Sequence, residues 1–388
     1  MNRMPVAAIM QTIRANEQRI KELFTELVSI DSISFSERNM ADRLKEILRE
    51  TGFEVMEDCA GELYGGNAGN VYGFLKGTVP GPATLFVAHM DTVQPGISKK
   101  AVFHKNGRIT SDGSTILGSD DVAGIVEIIE GIRYVQEHNI PYGDVEILFP
   151  IAEELYDKGS KAFDFSNIKA KQAYVLDLSG HVGKAALRAP SIVSFKIEIR
   201  GKASHAGFAP EKGINAIALM AEGISKIRQG RMEDDTTLNV GLIRGGSMTN
   251  IVSENCICEG EIRGYHHERV MELLGKIKHV FQNVIENAQG QDKDAELFFS
   301  HEVNIKAYAV AENSTVVQKF CNACKKIEIE AELTETFGGS DNNVIVNKGI
   351  EGVVLSCGMN NAHSVNEYIE LEDLIKGAEL VGALISQE

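Results

Sequence analysis

No stretch of this 388-residue chain is apolar for long enough to span a bilayer, so a helical membrane protein is not expected. The first twenty residues lack a long apolar core and already carry Arg14, Glu17 and Arg19, which is not the pattern of a signal peptide. A cytoplasmic location is the expectation. Positive charge is also scarce: 39 Lys and Arg face 55 Asp and Glu, a net charge of -16. Such a balance argues against nucleic acid or an anionic membrane surface as partner, because both reward cationic proteins. The six cysteines include only two close pairs, Cys256/Cys258 and Cys321/Cys324, and neither has the partner pair of a zinc finger or the setting of a redox CxxC. Cys321 and Cys324 fall in a predicted helix, VVQKFCNACKKI, and read as partly buried thiols. Gly65-Gly66 and Gly245-Gly246 lack the strand, GxGxxG and helix sequence of a nucleotide site. Ser114, Ser119 and Ser340 lack a nucleophile-elbow pattern, which makes a serine hydrolase improbable. Internal repeats and low-complexity segments are missing too.

What is present is organised around Ala83 to Thr92, ATLFVAHMDT. An apolar run bounded by Pro80, Gly81 and Pro82 in front and by Pro95 and Gly96 behind reads as a buried strand of a mostly parallel sheet. His89 and Asp91 stand at its carboxyl end, the edge where open α/β sheets bind ligands, and strand alternation turns both to one side. One of them can bind a metal while the other orients it. Read alone, the pair is equally compatible with a hydrogen-bonded histidine beside a capping aspartate.

The rest of the chain supplies partners. Apolar residues at three- and four-residue steps predict a helix from about Ala7 to Ile30, and a second helix is predicted over Asn39 to Thr51. Phe53 to Glu57 and Asn70 to Leu75 read as strands. The stretch Gly118-Ser119-Asp120-Asp121 precedes a long apolar helix, so one aspartate is expected to cap it and the other to be spare. Val145 to Ile151 is a buried strand ending in Glu153 and Glu154, and Ala173 to Leu176 is another ending in Asp177. From about Ala189 the pattern becomes βαββαβ, the ferredoxin-like order, read as an inserted domain. After Lys306 the α/β pattern resumes, and His363 follows the last buried strand. The expected division is 1–188 and 305–388 for one domain and 189–304 for the insertion.

Collected at one edge, His89, Asp91, Asp120, Asp121, Glu153, Glu154, Asp177 and His363 would repel one another unless cations sat among them, and two imidazoles with carboxylates suit zinc. Two metals bridged by a carboxylate would use His89, Asp120 and Asp177 on one side and Asp120, Glu154 and His363 on the other. That leaves Glu153 as a candidate base for water.

In this order, and around a βαββαβ insertion, these motifs resemble the M20 family of dinuclear zinc peptidases and amidohydrolases, with the greatest similarity to peptidase T-like tripeptide aminopeptidases. The resemblance covers nearly the whole chain. It implies a zinc-peptidase-like α/β catalytic domain, a mixed sheet flanked by helices, carrying a ferredoxin-like lid and dimerisation domain. It implies two zinc ions per subunit, with manganese or cobalt able to substitute, on the ligand sets above. It assigns Asp91 to orienting His89 and Glu153 to general acid/base catalysis. It further implies a homodimer and substrate contacts from His205, Asn250 and Arg263 of the insertion. The expected activity is hydrolysis of short peptides with release of the N-terminal residue of tripeptides. An N-acyl-amino-acid deacylase or carboxypeptidase-type amidohydrolase is the alternative on the same machinery, and a catalytically silent metal-binding protein is the non-enzymatic one. Two features depart from the pattern: Val122 stands where many relatives have lysine, and Gly338-Gly339-Ser340-Asp341 differs from an Arg-Gly-Gly-Thr-Asp form.

Overall fold

The computed structural model describes Val6, Met10, residues 14–232 and residues 235–387. Tertiary contacts divide the chain into two compact units: one made from the chain up to Arg188, Ala309–Thr336 and Ser340 onward, the other from Ala189–Tyr308 and Phe337–Gly339.

In the first unit, α1 (Glu17–Val28) is capped by Asn16, whose side chain accepts the Arg19 N–H, and buries Ile20, Leu23, Phe24, Leu27 and Val28. The predicted helix was to begin ten residues earlier; the cap sets the start of this one, and residues 7–9 and 11–13 lie outside the described residues. Then follow α2 (Arg38–Glu50), β1 (Glu54–Glu57), β2 (Val71–Leu75), β3 (Thr84–Val87), α3 (Ser119–Glu137), β4 (Val145–Phe149), β5 (Gln172–Leu178) and β6 (Lys184–Ala186).

The second unit opens with β7 (Ser191–Arg200) and continues through α4 (Ala216–Lys226), β8 (Gly230–Met232), β9 (Thr236–Gly245), β10 (Asn255–Gly264), α5 (His267–Glu286) and β11 (Glu296–Ile305). Its sheet runs β8-β9-β10-β7-β11, antiparallel throughout. Leaving aside the short β8, this is the βαββαβ arrangement expected from the sequence. Val193, Phe195, Ile197 and Ile199 alternate inward from β7 onto a core shared with Leu219, Leu274 and Phe281 of the two helices. The ladder runs on to an Ile192–Ile305 pair. Phe337 is drawn into this unit by packing on Tyr265 and by its carbonyl, which accepts from Arg263.

Back in the first unit come α6 (Thr315–Lys326), β12 (Glu332–Thr334), α7 (Asp341–Asn347), β13 (Glu351–Ser356) and α8 (Leu371–Ile385). Its eight-stranded sheet runs β1-β2-β4-β3-β5-β13-β6-β12. The central four, β4, β3, β5 and β13, are parallel, whereas β1, β2 and β6 bring in antiparallel pairings, so the sheet is mixed. Parallel central strands need cover on both faces, which explains why β3 and β4 are buried along their whole length. Parallel alignment also has a functional consequence: the carboxyl ends of β3, β4, β5 and β13 must all emerge at one edge.

Candidate metal centre and active site

Beyond β3 the backbone stays extended, with Met90 N donating to Pro150 O (2.9 Å) and Thr92 N to Ser32 O (2.9 Å). His89 and Asp91, between those tethers, are fully buried. His89 Nδ1 lies 2.9 Å from the Asp91 carbonyl oxygen and 3.4 Å from Asp91 Oδ1. A neutral ring that donates Nδ1–H to that carbonyl turns the Nε2 lone pair toward the neighbouring acids. Asp91 also accepts from Glu153 N (2.9 Å), Glu154 N (3.3 Å) and Ser34 Oγ (2.6 Å). A single carboxylate therefore fixes the segment that follows β3 to the segment that follows β4.

The paired aspartates divide their roles as expected. Asp121 accepts from Gly124 N (3.2 Å) at the start of α3 and from His89 N (3.2 Å), which makes it the cap. Asp120 is the spare carboxylate, and its backbone and that of Asp121 leave helical φ/ψ values. Gly124 lets the helix reach the sheet edge: a Cβ there would lie 2.5 Å from Leu176 O, two residues before the end of β5. The N-cap itself, Gly118, sits at φ 77 and has no side chain with which to cap. The donors of this preceding turn are met from elsewhere in the chain. Buried Glu367 accepts from Gly118 N (2.8 Å), Ser119 Oγ (2.6 Å) and Asp120 N (3.1 Å).

Asp120 Oδ1 lies 3.0 Å from His89 Nε2, and Asp120 Oδ2 lies 3.1 Å from His363 Nε2. Each oxygen of one carboxylate thus faces a different imidazole. His363 Nε2 is also 2.9 Å from Glu154 Oε1, while His89 Nε2 is 4.0 Å from Asp177 Oδ1 and 3.9 Å from Glu153 Oε2. His363 occupies the tip of a hairpin whose arms, Met359–Asn360 and Tyr368–Glu370, are paired, and it holds φ 63 in the left-handed region. The ligand atoms of His89, Glu153 and Asp177 form one group within 4.8 Å of one another, and those of His89, Asp120 and Glu154 form a second. Glu153 thus stands close enough to Asp177 and His89 to join a donor set as well as to act beside one.

The electrostatics fit cations. Burial raises Glu153, Asp177 and Glu154 above the ordinary carboxyl range, and neighbouring acids raise them further. Burial opposes charge on Asp120, but hydrogen bonds from His363 and His89 hold it far below its usual value. Hydrogen bonds to Asp120 and Glu154 push His363 up to about 10. On His89 burial works against the charge, yet Asp120 and Asp91 outweigh it and raise the imidazole well above its ordinary value. Nitrogen lone pairs and carboxylate oxygens thus crowd into a volume where only protons or cations reconcile them. The mixture of imidazole and carboxylate donors suits zinc or a similar divalent ion.

Several residues at this edge were not singled out from the sequence. Glu37 is buried; its Oε1 accepts from Phe35 N (2.9 Å) and Ala152 N (3.1 Å), and burial with nearby Asp91 raises it to about 7. Burial and Asp341 raise Asp157 to about 8, and burial raises Asp341 to about 6. Asp341, which the sequence places in a loop, begins α7. The acidic residue four positions after His363, Glu367, is legible as a residue type but not as the acceptor for the turn that leads into α3.

His205, Asn250 and Arg263 belong to the second unit. His205 and Asn250 adjoin through a two-strand ladder, with Ala206 N donating to Asn250 O (2.9 Å) and His205 pairing with Ile251. Both side chains are exposed. His205 Nδ1 accepts from Gly207 N and Phe208 N (3.1 Å each), so the neutral ring carries its hydrogen on Nε2. Arg263 bonds Glu261 (2.7 Å) and the Phe337 carbonyl (3.1 Å).

A mixed α/β sheet with imidazole and carboxylate donors gathered at its carboxyl edge, in a chain that also carries a βαββαβ unit, is an arrangement able to hold divalent ions. Comparison with known proteins supplies the class. Residues 189–289 match the peptidase dimerisation domain of the M20 peptidases. A Bacillus subtilis (strain 168) protein called YqjE, itself uncharacterised, is 38% identical over 372 residues, covering 96% of this chain and 99% of that one. The crystal structure of aminopeptidase PepT from Bacillus cereus ATCC 10987 superposes with a TM-score of 0.89 at 37% identity, covering 96% and 98% of the two chains. A tripeptidase from Staphylococcus aureus subsp. aureus mu50 gives 0.91 at 31% identity over the same shares. The chain belongs to the M20 family of peptidases, on the peptidase T-like side of it.

Proposed function

We propose that the chain is a two-zinc aminopeptidase that releases the N-terminal residue of tripeptides. The observation that carries this reading is the placement of Asp120, one oxygen toward His89 and the other toward His363, as a bridging carboxylate requires. His89, Asp120 and Asp177 would hold one ion, and Asp120, Glu154 and His363 the other. When bound, the ions supply Lewis acidity that polarises the scissile carbonyl and lowers the pKa of water. Glu153 takes a proton from the attacking water on its carboxylate and delivers it to the departing amine. Asp91 keeps His89 turned Nε2-outward and anchors Glu153 and Glu154 through their backbone N–H groups.

The same reading assigns substrate contacts to His205, Asn250 and Arg263 within a homodimer, with His205 serving the site of the neighbouring copy. Its support is the hydrogen on His205 Nε2, suited to donating to an oxyanion, and the Arg263 guanidinium, suited to a carboxylate. The dimer is supported by the outer edge of β9: among the described residues no strand pairs with it beyond Leu238, and Leu242 and Ile243 are exposed there.

The test is a mass-spectrometric screen of free and N-acetylated di- and tripeptides against protein loaded with zinc, manganese or cobalt. Cleavage of free tripeptides, abolished by acetylation, is expected; faster hydrolysis of the acetylated compounds would overturn the aminopeptidase reading in favour of a deacylase. Elemental analysis should find about two ions per chain, lost together in Asp120→Ala. In His363→Ala the ion held by His89 should be spared preferentially.

A further inference from the structure

Glu367 lies four residues after His363, yet its carboxylate is spent on the Asp120 segment. It accepts from Gly118 N, Ser119 Oγ and Asp120 N at 2.8, 2.6 and 3.1 Å, and it is 1% exposed. Gly118 has no side chain and Asp121 takes the Gly124 N–H, so these donors of the turn that leads into α3 would be orphans without Glu367. The contact joins two ligand-bearing segments of unrelated origin, the turn that opens α3 and the hairpin that presents His363. That hairpin holds Asn361 at φ 54 and His363 at φ 63, a conformation that persists only where its surroundings over-determine it. Within the hairpin, Ser364 Oγ donates to Asn361 O (3.0 Å), and Glu367 N donates to Ser364 O (3.1 Å). Internal bonds shape the hairpin; Glu367 ties it to the Asp120 backbone.

We infer that Glu367 is a positioning residue that sets the distance between Asp120 and His363, so that both reach one divalent ion. The inference rests on the reading above that these two residues share an ion. A carboxylate is needed because its two oxygens receive three donors. In Glu367→Gln the amide oxygen can keep the Ser119 and Asp120 donors, but the amide nitrogen would meet the Gly118 N–H donor to donor. Glu367→Ala removes all three acceptors. Outer partners of metal ligands typically govern affinity by about 10–100-fold.

The experiment titrates metal-free wild type, Glu367→Gln, Glu367→Ala and His363→Ala with cobalt(II), followed by visible absorption, alongside denaturation of each metal-free protein. We expect Glu367→Gln to weaken cobalt binding about 10-fold and Glu367→Ala about 100-fold at the site that His363→Ala also weakens. A role confined to satisfying the turn that leads into α3 would lower the metal-free denaturation midpoint and leave the affinity of folded protein unchanged. If His363→Ala binds cobalt as wild type does, the shared-ion reading falls and takes this inference with it. If His363→Ala is weakened while Glu367→Gln is within twofold of wild type, only the role of Glu367 is overturned. Should Glu367→Ala fail to fold, Glu367→Gln decides the matter.

Discussion

Asp91 offers the sharpest test of how this edge is held. Its buried carboxylate accepts from Glu153 N through Oδ1, which also faces His89 Nδ1, and from Ser34 Oγ and Glu154 N through Oδ2. Removing the carboxylate as Asp91→Ala strands three donors, one buried and two part-buried. At about 1–3 kcal/mol each, that loss threatens the fold itself, so the informative change is Asp91→Asn. The amide will place its oxygen at the Oδ1 position, because the shorter of the two backbone N–H bonds, to Glu153 N at 2.9 Å, is made there, whereas the Ser34 hydroxyl at Oδ2 can reverse its role. Its NH2 group then replaces Oδ2. Ser34 Oγ can rotate to accept from it, but Glu154 N is left facing another donor. That N–H is part-buried, so its loss costs about 1 kcal/mol, the low end for an unsatisfied donor, to be read as a lower denaturation midpoint of metal-free protein. The Glu153–Glu154 segment is displaced in consequence, and metal affinity or activity should fall about 10–100-fold, the range for partners that orient metal ligands. Peptide hydrolysis at saturating metal and calorimetric metal titration measure the two effects. A variant with wild-type midpoint and wild-type turnover would refute the reasoning that Asp91 anchors both glutamates.

Glu153→Gln should retain its ions yet lose about 10²–10⁴ in rate, as expected when a general acid–base group is removed; near-normal turnover would rule out that role. Glu37 should make metal-free protein sensitive to pH. Its folded-state value of about 7 exceeds the usual value of 4.5, so its contribution is fully present below pH 4.5 and lost as pH rises through 7, a loss of about 3 kcal/mol. Glu37→Gln, which keeps an oxygen for Phe35 N and Ala152 N, should flatten that part of the stability profile, and an unchanged profile would assign it to other groups. Finally, His205→Ala and Glu153→Ala should each be slow, whereas a mixture allowed to exchange subunits should recover activity through hybrid dimers with one intact composite site. No recovery despite demonstrated exchange would defeat the role of His205 across the dimer.

The alternation and apolar runs of the sequence determined which strands are buried, and turn residues at their ends determined where His89, Glu153 and His363 leave the sheet, whereas Asp177 lies one residue inside the end of β5. These are local properties: a period of two, a run of β-branched residues, a glycine or proline at a boundary. The ladder bears out the expectation that parallel strands bring those groups to one edge, since parallel alignment leaves them no other place. The antiparallel pairings of β1, β2 and β6 were not legible, because strand partners are chosen by long-range packing that no short window contains. Tertiary structure also decided which acid does which task. Asp120 and Asp121 are adjacent and identical in type, and only the approach of α3 to the end of β5 makes one a cap and turns the other toward two imidazoles. Glu367 and Glu37 read in the sequence as ordinary charged residues of a loop and a helix start. Each gains its meaning from backbone N–H groups more than a hundred residues away, which a buried carboxylate must find and which the sequence does not announce.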